Sequence, residues 1–147
     1  MDRVDCKILE LLQENARISM TELGQSVGLS TPAVKERVKK MEERNLIESY
    51  RAIVNPEQLD KHVTAFILFD TTACKPFREF CQAHPMVYEC HRLAGQYSYM
   101  VKVVSESVQE LETFIDASMA FGRPSTFISL SSPVKYKPVL PTLEASS

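Results

Sequence analysis

Basic and hydroxyl side chains follow one another closely between residues 30 and 40, in a segment that has the spacing of a helix. Lysine ammonium groups and serine or threonine hydroxyls are donors with which proteins bind phosphate oxygens and base edges. The candidates for contact with bases and phosphates on the exposed face that carries these donors are Ser30, Thr31, Pro32, Lys35, Glu36, Lys39 and Lys40. Ser30 can direct its hydroxyl to the start of the helix or to a phosphate, and Lys40 suits the DNA backbone or solvent. This set predicts contact with double-stranded DNA.

The segment from residue 20 to 39 predicts the helix-turn-helix that would present these side chains. Ser19 and Glu22 form a capping box that opens its first helix. Gly28 can end that helix because glycine readily adopts positive φ, and Ser30 then caps the second helix. Apolar residues recur at helical spacing: Leu23, Val27, Val34, Val38 and Met41. The alternative is a helical hairpin that only packs.

A further helix precedes this pair. Asp2 or Asp5 can cap it, and it should end near Asn15 after an apolar stripe of Ile8, Leu9, Leu11 and Leu12. The second helix of the pair should run from Thr31 to about residue 44. Gly24 has no Cβ, so the two helices of the pair can approach each other closely where they cross.

Charge is distributed unevenly along the 147 residues, which carry a net charge of −2. Between residues 35 and 40, four cations stand against one carboxylate, a local excess of +3. Because screening limits phosphate attraction to about 8 Å at physiological salt, a local patch can act despite the acidic total. A single helix-turn-helix domain of this charge, which we call the head, should bind DNA modestly. Tight DNA binding should require several heads in one assembly.

The composition is typical of a globular protein, with 44% hydrophobic and 24% charged residues. We see neither an apolar run long enough to span a bilayer nor a signal peptide, so we expect a cytoplasmic protein without a membrane partner. The four cysteines form no CxxC pair. A metal site built from Cys81, His84, Cys90 and His91 is disfavoured, because adjacent residues of a strand point to opposite faces.

The segment from residue 47 to 54 alternates in character as a strand does, and Asn55-Pro56 then marks a turn. We interpret it as a strand-like linker, which gives the head a winged-helix-like character. Strands are predicted at 63–69, 86–93, 97–104 and 125–130, and helices at 75–84 and 107–121. This β-α-β-β-α-β order is that of a ferredoxin-like domain and makes the chain an α+β protein.

The first of these strands is apolar on both faces. Ala65 and Ile67 lie on one face, and Phe66 and Leu68 lie on the other. The two helices can cover only one face of the sheet, so the second face should pack on another sheet. We therefore predict at least a homodimer that is formed through the C-terminal domain.

Several motifs together resemble the Lrp/AsnC (feast/famine) family of transcriptional regulators. They are D-x-x-I-L-x-x-L at 5–12, N-A-R-I-S at 15–19, LSTPAVKERVKKME at 29–42 and AGQYSYMVKV at 94–103. The resemblance covers about residues 2–132. We expect a helix-turn-helix domain at 1–48, the linker at 49–60, a ferredoxin-like dimerisation and effector (RAM) domain at 61–132, and a tail at 133–147.

The resemblance implies a regulator of transcription that assembles as a dimer and further as a tetramer or octamer, whose heads contact DNA together. It implies no cofactor other than an amino-acid effector. The effector residues implied are Gly95, Gln96, Tyr97, Ser98 and Tyr99. Ser98 departs from the aspartate that many members carry at this position. Arg37 matches a family arginine that could contact DNA or pair with a carboxylate of the first helix.

Two alternatives remain at this stage. Siroheme decarboxylases resemble this chain in their two-domain architecture. They use histidines and arginines of the C-terminal half, where this chain has His84, His91 and Arg92. Nothing pairs these residues with a nucleophile or acid by spacing, so we predict that the chain is not an enzyme. The other alternative is a helical module that is used only for protein assembly, without DNA.

Overall fold

The computed structural model describes residues 1–142. They form two compact units, each of which is described by itself below. The first unit comprises Met1–Ile53 and the described residues from Val134 on, and the second comprises Val54–Pro133. Among the described residues, none of the helices combines the length and the apolar character that crossing a bilayer requires.

Three helices make up the first unit: α1 (Arg3–Glu14), α2 (Met20–Val27) and α3 (Thr31–Glu43). Asp2 caps α1 and forms a capping box with Asp5, while Ser19 and Glu22 form the predicted box at the start of α2. The buried apolar side chains of the three helices share one core: Ile8, Leu9, Leu12, Leu23, Val34, Val38 and Met41. The helical spacing in the sequence therefore identified the core of the head correctly.

The strand predicted at residues 47–54 is wrong. The described structure has no strand between α3 and a short 3-10 helix at Pro56–Leu59, and Ile53 and Val54 are exposed. Alternation specifies which way side chains point but supplies no partner for the backbone hydrogen bonds that define a strand. Within the described residues, the first unit therefore has three helices and no strand that could form a wing.

The described part of the tail belongs to the helical unit. The backbone of Val139 is hydrogen-bonded to the side chain of Gln13 in α1. The division of the chain at residues 48, 60 and 132 stays a prediction.

The second unit has the β-α-β-β-α-β order that was expected. Its elements are β1 (Val63–Asp70), α4 (Cys74–Ala83), β2 (Val87–Arg92), β3 (Tyr99–Ser105), α5 (Val108–Ser118) and β4 (Arg123–Ile128). The four strands are antiparallel in the order β2-β3-β1-β4. β4 begins two residues earlier than predicted because it pairs along β1, where Arg123 lies opposite Asp70.

The two faces of this sheet differ in what covers them. The face toward α4 and α5 carries Ala65, Ile67 and Phe69 of β1, which are fully buried together with Phe77 and Phe114 of the helices. The outer face carries Phe66 and Leu68, which are half-buried. The sequence thus assigned the two faces of β1 correctly.

Candidate functional site

The turn between α2 and α3 fixes where the candidate DNA-reading residues begin. Gly28 has φ 71°, a left-handed conformation that favours glycine. The N–H of Leu29 donates to the carbonyl of Gly24 over 2.8 Å, the six-residue bond that closes many helix ends. A Cβ on Gly24 would lie 2.7 Å from the carbonyl oxygen of Leu29. The small residue expected at the crossing is therefore required there.

The first turn of α3 is held by its own side chains and by α2. The N–H of Ala33 donates to the Ser30 hydroxyl over 3.4 Å, so this hydroxyl serves the helix as an N-cap. The Thr31 hydroxyl lies 3.5 Å from the hydroxyl of Thr21 in α2. Thr21 was not singled out in the sequence, since a pair ten residues apart follows no helical spacing. Pro32 is exposed beside them.

Exposed charges follow along α3. Lys39 lies 3.6 Å from Glu43, and Lys40 lies 3.5 Å from Glu36, both as exposed pairs one helical turn apart. Such pairs contribute little to the stability of the fold because both charged groups stay hydrated. Lys35 is exposed and forms no salt bridge within the described residues. It is the cation of α3 that is most available to an incoming anion.

Arg37 lies on the opposite flank of α3, against α1. Its Nη1 donates to Asp5 Oδ1 over 2.7 Å and to Asp2 Oδ2 over 2.8 Å. The two carboxylates raise the pKa of Arg37, and the backbone N–H of Asp5, followed by Arg37, lowers the pKa of Asp2. Of the two roles considered for Arg37, the ion pair with α1 is the one seen in the structure. The local positive excess of α3 is correspondingly smaller than its sequence suggests.

The loop that leads into β3 holds the five candidate effector residues. Gly95 has φ 145°, with open space where a side chain would be, and Gln96 is exposed. The Ser98 hydroxyl donates to the carbonyl of Thr71 over 2.9 Å and accepts from the N–H of Thr71 over 3.3 Å. Ser98 therefore joins this loop to the one after β1 and has both hydrogen-bonding roles of its hydroxyl occupied.

The strand predicted at 97–104 would place Tyr97 and Tyr99 on one strand face, but in the structure they do not share one. β3 begins at Tyr99, and Tyr97 lies half-buried in the loop before it. Tyr99 packs on Phe77 with ring centroids 4.7 Å apart and is almost completely buried. Its hydroxyl has no hydrogen-bond partner in the described chain, and burial, followed by Cys74, raises the pKa of the phenol. Tyr99 is therefore a core residue.

The outer face of the sheet combines aromatic rings with one charged network. Lys102 Nζ lies 5.8 Å from the ring centre of Phe66 and 5.3 Å from that of Tyr88. The same ammonium lies 3.4 Å from Glu89, whose carboxylate also lies 3.0 Å from His91 Nε2. The hydrogen bond to His91, followed by Lys102, lowers the pKa of Glu89. This face can therefore offer apolar area without an unpaired charge in that network.

The two histidines on which the enzyme alternative rests do not lie at one site. His84 ends α4 and packs its ring edge-on against Phe114 at 4.8 Å, on the helix side of the sheet. His91 lies opposite Met100 in the strand register and faces the other side. Within the described residues, no group of three or more histidines, cysteines or carboxylates is arranged to hold a metal ion.

Two family models match the chain, one for each unit. The model of the AsnC-type helix-turn-helix domain matches residues 1–42. The model of the Lrp/AsnC ligand binding domain matches residues 64–139. The two matches thus assign both units of the chain to domains of AsnC-type proteins.

Individual proteins give the same result. An uncharacterized HTH-type transcriptional regulator of Bacillus subtilis, YezC, is 52% identical over 132 residues, which cover 90% of this chain and 95% of YezC. The leucine-responsive regulatory protein of Haemophilus influenzae is 35% identical over 81% of this chain and 75% of its own. The solved structure of LrpC from B. subtilis is 30% identical and aligns with a TM-score of 0.88, over 92% of this chain and 99% of LrpC.

Proposed function

The chain belongs to the Lrp/AsnC family of transcriptional regulators, and from that premise we propose how it binds DNA, how it assembles and what regulates it. Like these relatives, it is a regulator of transcription with a helix-turn-helix, and it is not an enzyme. A regulator of this kind works where the DNA is, and we expect a cytoplasmic location.

The exposed face of α3 reads duplex DNA. The observation that carries this proposal is the exposed ammonium of Lys35, one turn after the capped start of the helix, which has no salt-bridge partner among residues 1–142. A recognition helix contacts base edges with the residues of its N-terminal part. Thr31, Pro32, Lys35, Glu36 and Lys39 are the candidates for bases, and Ser30 and Lys40 for phosphates. Arg37 acts indirectly, by fixing α3 against α1.

Lys35→Ala tests this assignment. A duplex selected from a random library with the wild-type protein is compared with an unrelated duplex, by fluorescence anisotropy. Loss of a contact to a guanine should weaken binding of the selected duplex by about 5- to 100-fold and change the unrelated one much less. An equal loss on both would restrict Lys35 to a phosphate. Lys75→Ala, an exposed lysine of α4, is the matched control and should change neither affinity.

The outer face of the sheet joins two copies of the chain. Support comes from the aromatic side chains that this face leaves accessible: Tyr88 is 52% exposed and Phe127 is 56% exposed. A tetramer or octamer of chains, assembled from such dimers, would bring enough heads together to give tight DNA binding.

Tyr88→Glu and Phe127→Glu should lower the mass measured by light scattering, because each places a carboxylate in the interface. Val108→Glu adds the same charge to an equally exposed apolar position on α5, where Val108 is 53% exposed. It should leave the mass unchanged. A wild-type mass equal to one chain at micromolar concentration would contradict the proposal.

An amino acid regulates the assembly from the loop before β3. Support comes from the ligand-binding description of the matching family model and from the relative that is named leucine-responsive. Gly95, Gln96 and Tyr97 are the residues of this loop that a ligand could reach, with Ser98 and Tyr99 behind them. Titration with each of the twenty amino acids by calorimetry tests the proposal, and Gly95→Val should abolish any heat that is found.

A further inference from the structure

The side chain of Gln13 makes two hydrogen bonds to the backbone of one residue of the tail. The N–H of Val139 donates to Gln13 Oε1 over 2.8 Å, and Gln13 Nε2 donates to the Val139 carbonyl over 3.0 Å. A carboxamide carries one donor edge and one acceptor edge, so it can pair with an extended residue as a neighbouring strand would. Gln13 Nε2 also donates to the carbonyl of Leu9 over 3.2 Å, which orients the amide on α1.

This contact recognises backbone rather than side chain. Val139 is 82% exposed, so apolar burial does not hold it in place. Pro138 and Pro141 flank the contact; proline fixes its own φ and favours an extended conformation in the residue before it. A segment that is already extended loses less conformational entropy when it is bound. The tail is therefore suited to lie along α1 as a strand-like segment.

The segment borders a groove in the head. Leu9 and Leu12 of α1 and Ala16 just after it form one wall, residues 46–51 form the other, and Val139 also lines this space of about 450 Å³. The chain thus leaves the head near residue 53 and returns to it near residue 134. The head is consequently built from both ends of the sequence.

We propose that residues 138–141 are a strap that completes the DNA-binding head of their own chain, with Gln13 as its clasp. When the clasp is closed, two chain segments connect the head to the C-terminal unit instead of one. A second connection reduces the set of positions that a tethered body can sample. The strap therefore stabilises α1 and limits the freedom of the head.

Hydrogen exchange of the full-length protein, read from peptides that cover α1 and residues 46–51, tests the strap. Gln13→Ala removes both hydrogen bonds, and Val139→Pro removes the N–H of the tail residue. Each should speed exchange in these peptides about fivefold. Two controls should not: Val139→Ala keeps the backbone groups, and Gln109→Ala removes an exposed glutamine of α5. The double variant should exchange no faster than either single one, because both break the same contact.

Mixing the two variant chains shows whose tail fills the groove. If a partner's tail did, Gln13→Ala chains mixed with Val139→Pro chains would regain one intact clasp per mixed dimer and recover part of the protection. We expect no recovery, because each chain then lacks one half of its own clasp. Recovery would overturn the assignment to the same chain, and unchanged exchange in both single variants would overturn the strap itself.

The exchange measurement involves no DNA, so it can fail without affecting the proposed DNA binding. Where the proposed function holds, a second result is expected. Val139→Pro should bind pairs of half-sites over a wider range of spacings than wild type, with an unchanged affinity for one half-site. Identical spacing profiles for the two proteins would contradict the claim that the strap limits the head.

Discussion

Replacing Gly24 by alanine should displace the start of α3 and weaken DNA binding without touching a DNA contact. The new Cβ would lie 2.7 Å from the carbonyl oxygen of Leu29, whereas ordinary contacts begin near 3.4 Å. The Leu29 carbonyl is backbone, the Cβ would be fixed directly to the Cα of residue 24, and the backbones of the same two residues are joined by the Leu29-to-Gly24 hydrogen bond. Neither can rotate aside as a flexible side chain would, so α2 and the turn must separate.

The size of the effect follows from two opposing contributions. Overfilling a packed site typically costs about 1–3 kcal/mol, and a clash between backbones belongs near the upper value. Alanine is favoured over glycine inside a helix by about 1 kcal/mol, which offsets part of this cost. The net loss should be about 2 kcal/mol, or roughly 10 °C in the melting temperature of a unit of this size.

Gly28 provides the comparison that separates lack of space from backbone conformation. A Cβ there would meet nothing within 4 Å, but φ is 71°. Gly28→Ala should therefore cost about 1–2 kcal/mol through left-handed strain alone. Gly28→Asn should recover part of that loss because asparagine tolerates this conformation. Gly24→Asn should be worse than Gly24→Ala because it is larger.

The assay measures the affinity for the selected duplex by fluorescence anisotropy. It also measures the thermal unfolding of the head, which is monitored by hydrogen exchange in peptides from residues 1–50. Gln25→Ala, one position later on the exposed side of α2, is the matched control and should leave both unchanged. If Gly24→Ala kept wild-type affinity and stability, the close crossing of α2 and α3 would not be what positions the recognition helix.

Three further results are expected. The pKa of Asp2 is lowered in the folded head, so its stabilising effect should be complete above its usual 3.8 and be lost as the pH falls below it; Asp2→Asn should flatten the fall in the melting temperature of the head between about pH 5 and about pH 2. Ser98→Ala removes both hydroxyl bonds to Thr71 and should lower the stability of the C-terminal unit by about 1–2 kcal/mol in urea unfolding. Tyr99→Phe should leave the urea midpoint unchanged or raise it, since the lost hydroxyl has no partner in the described residues.

Much of the fold could be predicted because its signals are local. The boxes at Ser19 and at the start of α1 fix where two helices begin, and the observed α2 starts one residue after Ser19. Helical spacing identified the core of the head, and the order of strands and helices identified the second unit. In each case the physical cause, a cap or an apolar stripe, lies within a few residues of its effect.

The features that were missed depend on distant partners. Residues 47–54 alternate as a strand does, but nothing in the described chain pairs with them. The contact between Gln13 and Val139 spans 126 positions, so no periodic pattern could indicate it. Tyr97 and Tyr99 were assigned to one face because the start of β3 was placed too early. Arg37 illustrates the intermediate case, in which two partners were possible from the sequence and the structure shows the ion pair with α1.

The charge of the head explains why such a protein would act through assembly. Arg37 is engaged with α1, and Lys39 and Lys40 lie beside carboxylates of their own helix, so Lys35 is the main cation that α3 offers freely. The exposed pairs are weak enough for phosphate to compete with their carboxylates. Even so, few phosphates can be neutralised by one head, and the salt-dependent part of affinity grows with that number. Joining heads through the sheet would multiply those contacts, whereas a more basic α3 would strengthen binding to every sequence alike.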